Sequence, residues 1–273
     1  MRTLRVATAA DSDALLAIYA PYITDTAVTF ETAIPSSAEF RRRVEEIVAT
    51  YPFLIAEEDG QPVGYAYAHR ESERAAYDWN AELSVYVKND HRGKGVGRQL
   101  YAALLRLLQL QGVQNAYVRI ALPNPESEKL HARMGFRRLA EHRATGYKHG
   151  AWHSILWMEK TVGDHAIPPA PLIPFSQLSS DAVSAVLALA DDTTAAPLQP
   201  LPVTVGGRYR HFKGREYRVL SLATDSETGE PVVVYQQLYG EGGVWVRPAA
   251  MFTEAVFRDG RWILRFAPVE EQS

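Results

Sequence analysis

The chain has 273 residues, which at about 150 residues per domain suggests two domains. Lys and Arg total 29 against 32 Asp and Glu, so the net charge of −3 excludes a chain-wide polybasic nucleic-acid binder. There is no cysteine, which excludes disulfides, cysteine-ligated metal and a cysteine acyl intermediate.

In chain order, Leu4-Arg5-Val6 reads as a short strand. Thr8 and Asp11 form a capping-box-like pair ahead of a helix with Leu15, Ile18 and Tyr22 along one face. Ser36 and Glu39 repeat that signature before a helix that turns Phe40, Val44 and Ile47 inward. Phe53–Glu58 and Pro62–His69 flank Asp59-Gly60, a pair that readily takes the positive φ angles of a tight hairpin. Trp79, Ala81, Leu83, Val85 and Val87 alternate with Asn80, Glu82, Ser84, Tyr86 and Lys88, which predicts a strand with two unlike faces. A glycine-rich turn then leads into a helix with Leu100, Leu104 and Leu107 inward. A strand over Tyr117–Leu122, a helix over Ser127–Met134 and two more strands to Lys160 complete a mixed α/β domain over 1–162.

Seven of the sixteen prolines fall between Thr161 and Thr204, so 163–204 reads as a semi-stiff linker. Within it a short helix from Ser180 to about Ala190 would need a neighbour to dock on. Residues 205–273 show short apolar runs with turns at Lys213-Gly214, Thr228-Gly229, Gly240–Gly243 and Asp259-Gly260, the pattern of a small all-β domain, barrel-like or a curled sheet. Arg208, Arg210, Lys213, Arg215 and Arg218 alternate there with Tyr209, Phe212 and Tyr217, a mixture that could stack on single-stranded nucleic acid. The nine Lys and Arg of this domain are matched by nine Asp and Glu, so a solvated face over a barrel core is the preferred reading. The first residues lack the apolar core of a signal peptide, and no stretch approaches the roughly 18 apolar residues of a membrane span. A cytoplasmic protein is expected, with no membrane contact and no nucleic-acid partner.

The segment that carries chemistry is His91-Arg92-Gly93-Lys94-Gly95-Val96-Gly97-Arg98, between a strand and a helix. Glycines at 93, 95 and 97 let the backbone approach a ligand, and successive amides at a helix start point at it with the positive end of the dipole. Such a turn suits a pyrophosphate, with Arg92, Lys94 and Arg98 adding charge. It lacks the Gly-Lys-Ser/Thr ending of a P-loop and the spacing of a dinucleotide fingerprint. The histidines show no shared metal-ligand spacing, so no metal is expected.

Arg92-Gly93-Lys94-Gly95-Val96-Gly97, followed downstream by Asn124-Pro125-Glu126-Ser127, Leu130-His131 and Gly135-Phe136, resembles the acyl-CoA site of the GNAT superfamily of N-acetyltransferases. Tyr77-Asp78-Trp79, Glu82, Val85-Tyr86-Val87, Gly146–Gly150 and Trp152-His153 are similar to the phosphinothricin and methionine sulfoximine acetyltransferases within it, over about residues 2–160. The resemblance implies a mostly antiparallel sheet flanked by helices, a homodimer, and transfer of acetyl from acetyl-CoA to the α-amine of a small glutamate-like amino acid.

It further implies that Val85, Tyr86 and Val87 pair through their backbone with the pantetheine arm, and that Asn124 and Ser127 contact it further along. Glu82 would be the general base and His131 the acid that protonates the departing thiolate. Phe30, Arg74 and Tyr77 would line the substrate pocket, with Arg74 against an acidic group. Ser72 and Glu73 depart from the family pattern before Arg74, which leaves phosphinothricin, methionine sulfoximine and methionine sulfone all open. An enzyme acting on protein N-termini, or a binding protein on a degenerate fold, are the alternatives. The string Tyr209–Gly214 with Glu230–Tyr235, Leu238-Tyr239-Gly240 and Trp245–Pro248 resembles a small bacterial domain of unknown function.

Overall fold

The computed structural model describes residues 2–191, 203–226, 229, 231–253, 255–258 and 261–269. They fall into two compact units, Met1–Asp192 and Thr193–Ser273.

The first unit opens with β1 (Arg2–Val6) and α1 (Ser12–Thr24). Thr8 and Asp11 close the capping box between them, and Leu15, Ile18 and Tyr22 are buried as their spacing requires. In α2 (Ser37–Thr50) the Ser36 hydroxyl accepts from the Glu39 amide at 3.2 Å. β2 (Phe53–Glu58) and β3 (Gln61–Arg70) form the hairpin, with φ of 52° at Asp59 and 75° at Gly60. β4 (Asn80–Val87), α3 (Val96–Gln111), β5 (Asn115–Leu122), α4 (Pro125–Arg133), β6 (Arg137–Lys148) and β7 (Ala151–Thr161) follow. The sheet order is β1-β2-β3-β4-β5-β7-β6, and only the β4–β5 pair is parallel.

Alternation along β2 and β3 distributes the core between two faces. Phe53, Ile55 and Tyr65 pack with Tyr19, Tyr22, Phe40 and Val44 of α1 and α2. Leu54, Ala56 and Ala66, on the opposite face, are also buried, and α3 packs against β2, β3 and β4. Both of the unlike faces read for β4 are covered: Tyr86 sits in an edge-on cluster with Tyr19 and Tyr22, and Glu82 is 8% exposed. The helices α1 and α2 cover that face, so alternation marks two packing environments here rather than core and solvent.

The unit continues past Val162. Phe175 (7% exposed) and Val186 (0%) are buried, and α5 (Ser180–Asp191) packs on α3 and β1. The preceding chain is tied down through its carbonyls: Trp79 Nε1 donates to Ala170 O at 2.7 Å and Gln111 Nε2 to Ile173 O at 2.9 Å. Over 163–191 the proline-rich stretch is therefore a strap on the first unit, not a free linker. Pro197, Pro200 and Pro202 lie outside the described residues.

The second unit holds β8 (Arg208–His211), β9 (Glu216–Thr224), β10 (Pro231–Gln237), β11 (Val244–Pro248), α6 (Ala249–Thr253), the β12 (Ala255–Arg258) and β13 (Arg261–Leu264) pair, and β14 (Phe266–Pro268). Its sheet runs β11-β10-β9-β8-β14, antiparallel throughout, and among the described residues it does not close into a barrel. Tyr209, Val219, Val233, Tyr235, Phe252 and Phe266 form its core, with the Phe252 and Phe266 rings stacked at 4.2 Å. Of the basic strip, Arg208 and Arg210 both pair with Glu216 and Arg215 lies over the Tyr239 ring at 4.8 Å. The turns at Thr228 and Asp259-Gly260 lie outside the described residues. Among those described, no helix in the chain is long and apolar enough to cross a membrane.

Candidate active site

β4 and β5 pair only at Asn80–Asn115, Ala81–Ala116 and Glu82–Tyr117, although β4 runs on to Val87 and β5 to Leu122. The strands part immediately after Glu82. Lys88 donates its amide to Val63 O at 2.9 Å, so alternation along the antiparallel β3–β4 pair turns the amides of Tyr86, Ser84 and Glu82 toward β3. Those of Val85 and Val87 turn toward the gap. Val87 is already engaged there: its N–H donates to the Tyr22 hydroxyl at 3.1 Å, and that hydroxyl donates to Val87 O at 2.6 Å. Of the three residues expected to pair with pantetheine, Tyr86 has its backbone groups toward β3, Val87 is held by Tyr22, and Val85 keeps its groups toward the gap.

The glycine turn stands at the open end of this gap. Gly93 and Gly95 have φ of 74° and 83°, and Gly95 caps the start of α3, where unpaired amides gather. Gly97 is helical, but a Cβ there would sit 3.2 Å from Leu130 Cδ2 and 3.7 Å from Val85 Cγ2, so its role is the close approach of α3 to α4 and β4. Val96 is buried and contributes only backbone to the turn. Arg2 fixes the loop from behind, donating to Lys94 O at 3.2 Å while it holds Glu58. The Arg92 guanidinium lies over the Tyr22 ring at 4.7 Å, so the residue that holds Val87 also seats a cation of the loop.

Glu82 is nearly fully buried on the α1–α2 face, one residue before the strands part. Its Oε2 lies 2.7 Å from Arg119 Nη2 of β5, and its register partner on β3 is His69. Burial raises its pKa above the usual carboxylate range; His69 and Arg119 oppose that rise, and Glu71 adds to it. Arg119 lies against the Trp157 ring at 4.5 Å. Neither Arg119 nor Trp157 stood out in the sequence. The available signal was a lone arginine in the apolar run Val118-Arg119-Ile120.

His131 is 3% exposed. Its Nδ1 donates to Ser127 O at 2.7 Å, so Nε2 accepts from the Tyr101 hydroxyl at 3.0 Å. Burial lowers its pKa to about 4, so it is neutral at pH 7. In this arrangement it is a strut between α3 and α4, without the charge or the open nitrogen a proton donor needs. Asn124 caps α4, its Oδ1 accepting from the Ser127 amide at 3.2 Å, which leaves the side-chain NH₂ for a ligand.

Phe30 packs where β6 approaches: a Cβ on Gly146 would lie 2.0 Å from Phe30 Cε2, and the His153 ring is 6.3 Å away. Phe30 also borders a cleft of about 430 Å³ with Ile34 and Arg43. Arg43 is spent there on Glu31 and Glu39, each at 2.6 Å. Arg74 and Tyr77 are exposed on the loop entering β4, which is closed by an Arg70–Asp78 ion pair at 2.7 Å. The structure thus gathers Glu82, His69 and Arg119 at one point, and the glycine turn, Val85, Tyr22 and Arg92 along one gap. Arg74 and Tyr77 lie apart from it, exposed on the loop entering β4.

A dipole-bearing glycine turn at the mouth of a parted strand pair, with a buried carboxylate at the fork, is the architecture of an N-acetyltransferase. A family model described as "Acetyltransferase (GNAT) domain" matches residues 4–157, and the chain belongs to this family. The model described as "Protein of unknown function (DUF1653)" matches 207–268. The phosphinothricin N-acetyltransferase of Streptomyces viridochromogenes is 37% identical over 175 residues, covering 64% of this chain and 95% of that one. The L-methionine sulfoximine/L-methionine sulfone acetyltransferase of Salmonella typhimurium is 30% identical over 169 residues, covering 62% and 99%. A GNAT superfamily phosphinothricin acetyltransferase from Sinorhizobium meliloti, solved in complex with AcCoA, has a TM-score of 0.60 at 32% identity, covering 64% of this chain and 97% of that one.

Proposed function

We propose that the first unit transfers acetyl from acetyl-CoA to the α-amine of a small amino acid such as phosphinothricin, methionine sulfoximine or methionine sulfone. The relatives' activities support the substrate class. The observation that carries the mechanism is Glu82, a buried carboxylate at the fork of β4 and β5. An ammonium must lose a proton before it attacks, and a carboxylate raised by burial is a better acceptor than one in water.

The turn from Arg92 to Gly97 would hold the pyrophosphate, Asn124 the pantetheine amide, and Val85 N–H the thioester carbonyl. Glu82 takes the proton from the amine, directly or through a water. The nitrogen lone pair attacks the thioester carbon, the nitrogen gives up its second proton to solvent, the C–S bond breaks, and the thiolate leaves with a proton from solvent. Phe30, Arg74 and Tyr77 are the proposed pocket rim. A homodimer in the cytoplasm is the assembly and location we infer from the family resemblance.

The test is thiol release from acetyl-CoA over phosphinothricin, methionine sulfoximine, methionine sulfone and a set of peptides with free N-termini. Turnover of the free amino acids supports the reading. Turnover of peptides alone, or of neither, overturns it.

A further inference from the structure

We infer that Arg119, rather than a residue of the exposed 71–79 loop, binds the α-carboxylate of the amino-acid substrate, leaving Glu82 for it when substrate arrives. This rests on the amino-acid reading above and specifies one contact within it.

The α-amine and α-carboxylate of an amino acid hang from the same carbon. Whatever cation holds the carboxylate must therefore lie next to the group that takes the amine proton. Arg119 Nη2 is 2.7 Å from Glu82 Oε2. Arg74 makes no contact with Glu82 among the described residues and stands on an exposed loop. Lysine 148, the buried cation of β6, donates to Thr29 O at 2.8 Å. Arg43 is held by two carboxylates.

The guanidinium is also built to change partners. Its plane rests on Trp157, and the Arg119 side chain is 44% exposed while that of Glu82 is 11% exposed. Glu82 thus offers one carboxylate edge to a fork with several donors, and the half-exposed guanidinium keeps further donors for a ligand. Tyr117, the register partner of Glu82, lies on the same face, two residues before Arg119. An incoming carboxylate can take those donors in a bidentate pair, with the amine then directed at Glu82. A glutamate-like substrate has a second acidic group at its far end, and the exposed Arg74 of the loop entering β4 is available for it.

The binding step also prepares the base. In the free site Arg119 opposes the rise that burial gives the Glu82 pKa. Once Arg119 turns to the substrate, the buried carboxylate is opposed only by His69 and the incoming ammonium, with Glu71 acting in the other direction. The ammonium proton is then the one it can gain.

The experiment compares L-methionine sulfone with L-methionine sulfone carboxamide, which keeps the amine and removes the carboxylate charge, in the full chain and its R119M and R119K variants. R119M is expected to raise KM for the acid roughly ten- to hundredfold, the loss of a charge-assisted pair, and to change KM for the carboxamide less than about threefold. R119K should restore part of the acid's affinity, because it keeps charge but not the fork. Acetyl-CoA affinity by calorimetry should be unchanged in both. Equal effects on acid and carboxamide, or no effect on either, overturn the role of Arg119. If the wild-type chain releases no thiol with either compound or with phosphinothricin, the amino-acid reading itself fails, and this assignment with it.

Discussion

Cutting the chain after Asp164 keeps every residue of the proposed site yet removes the strap and α5, and it should cost the first unit much of its stability. Phe175 and Val186, at 7% and 0% exposed, would vanish from the core. Full burial of such side chains contributes about 1.5–3 kcal/mol each, so the loss is about 3–6 kcal/mol before any hydrogen bond is counted. Gln111, fully buried between Thr50 O and Ile173 O, would lose one partner and gain water. Domains have only about 5–15 kcal/mol in total, and at this size each kcal/mol moves Tm by about 2–4 °C.

A chain ending at residue 164 should therefore melt about 6–24 °C below one ending at residue 192, by circular dichroism without ligand. Saturating acetyl-CoA should recover part of this, about 2.7 kcal/mol at a hundred times Kd, because it binds only the folded form. If the two chains melt within about 3 °C of one another, the strap is decoration and the first domain ends near Val162. Loss of acetyl-CoA affinity in the 192 chain would show instead that the second unit shares in the site.

Four further outcomes follow from single residues. Glu82→Gln should keep acetyl-CoA affinity and lose about 10²–10⁴ in kcat; in the wild type, kcat/KM rises as pH climbs through the raised pKa of Glu82, and the variant should lack that limb. Gly95→Asp puts an L side chain at φ +83° and a negative charge at the start of α3, so acetyl-CoA affinity by calorimetry should fall roughly a hundredfold or more without unfolding. Gly146→Ala must push the Phe30 ring aside, so the KM of the amino acid should rise while that of acetyl-CoA does not. Asp11 is held at a pKa of about 2, chiefly by its hydrogen bond to Arg5, so its contribution is fully present above the unfolded value near 3.8 and lost as pH falls toward 2. Urea unfolding of Asp11→Asn should show its full deficit above about pH 4 and a deficit that shrinks as pH falls through 2.

How much of this was legible depended on whether the signal was local. The Thr8–Asp11 box, the Asp59-Gly60 hairpin and the left-handed glycines at 93 and 95 are each written within a few residues and form as read, whereas of the Ser36–Glu39 pair only the Ser36 half forms, with Glu39 turned to Arg43. The strap was not legible because it docks through the backbone carbonyls of Ala170 and Ile173, which every residue type carries. Alternation in β4 separated its two faces correctly, but it could not say that a helix pair with Tyr19 and Tyr22 covers the polar one. The burial of Glu82, and with it the strongest feature of the site, followed from that covering. His131 shows the converse limit: a histidine on a polar helix looks available, and only the structure shows Ser127 O and the Tyr101 hydroxyl occupying its nitrogens. Arg119 comes from a strand some 37 residues further along the chain than Glu82, so only the parallel pairing makes them neighbours.

That pairing also explains how one short strand can serve two chemical tasks. Side chains of β4 point above and below the sheet, while its backbone groups point sideways along it. Glu82 uses the first direction and Val85 the second. At about 3.3 Å per residue the two lie roughly 10 Å apart along the strand, with the carboxylate reaching forward over one face and the amide facing the gap. In the proposed mechanism the proton acceptor and the carbonyl-polarising donor thus approach the reacting carbon from different directions and need not compete for space. Had β4 and β5 stayed paired beyond Glu82, the Val85 amide would be spent on a ladder bond. Had they parted earlier, neither Tyr117 nor Arg119 would be held beside the carboxylate. The fork at Glu82 satisfies both demands, because it ends the ladder at the residue whose buried carboxylate stands beside Arg119.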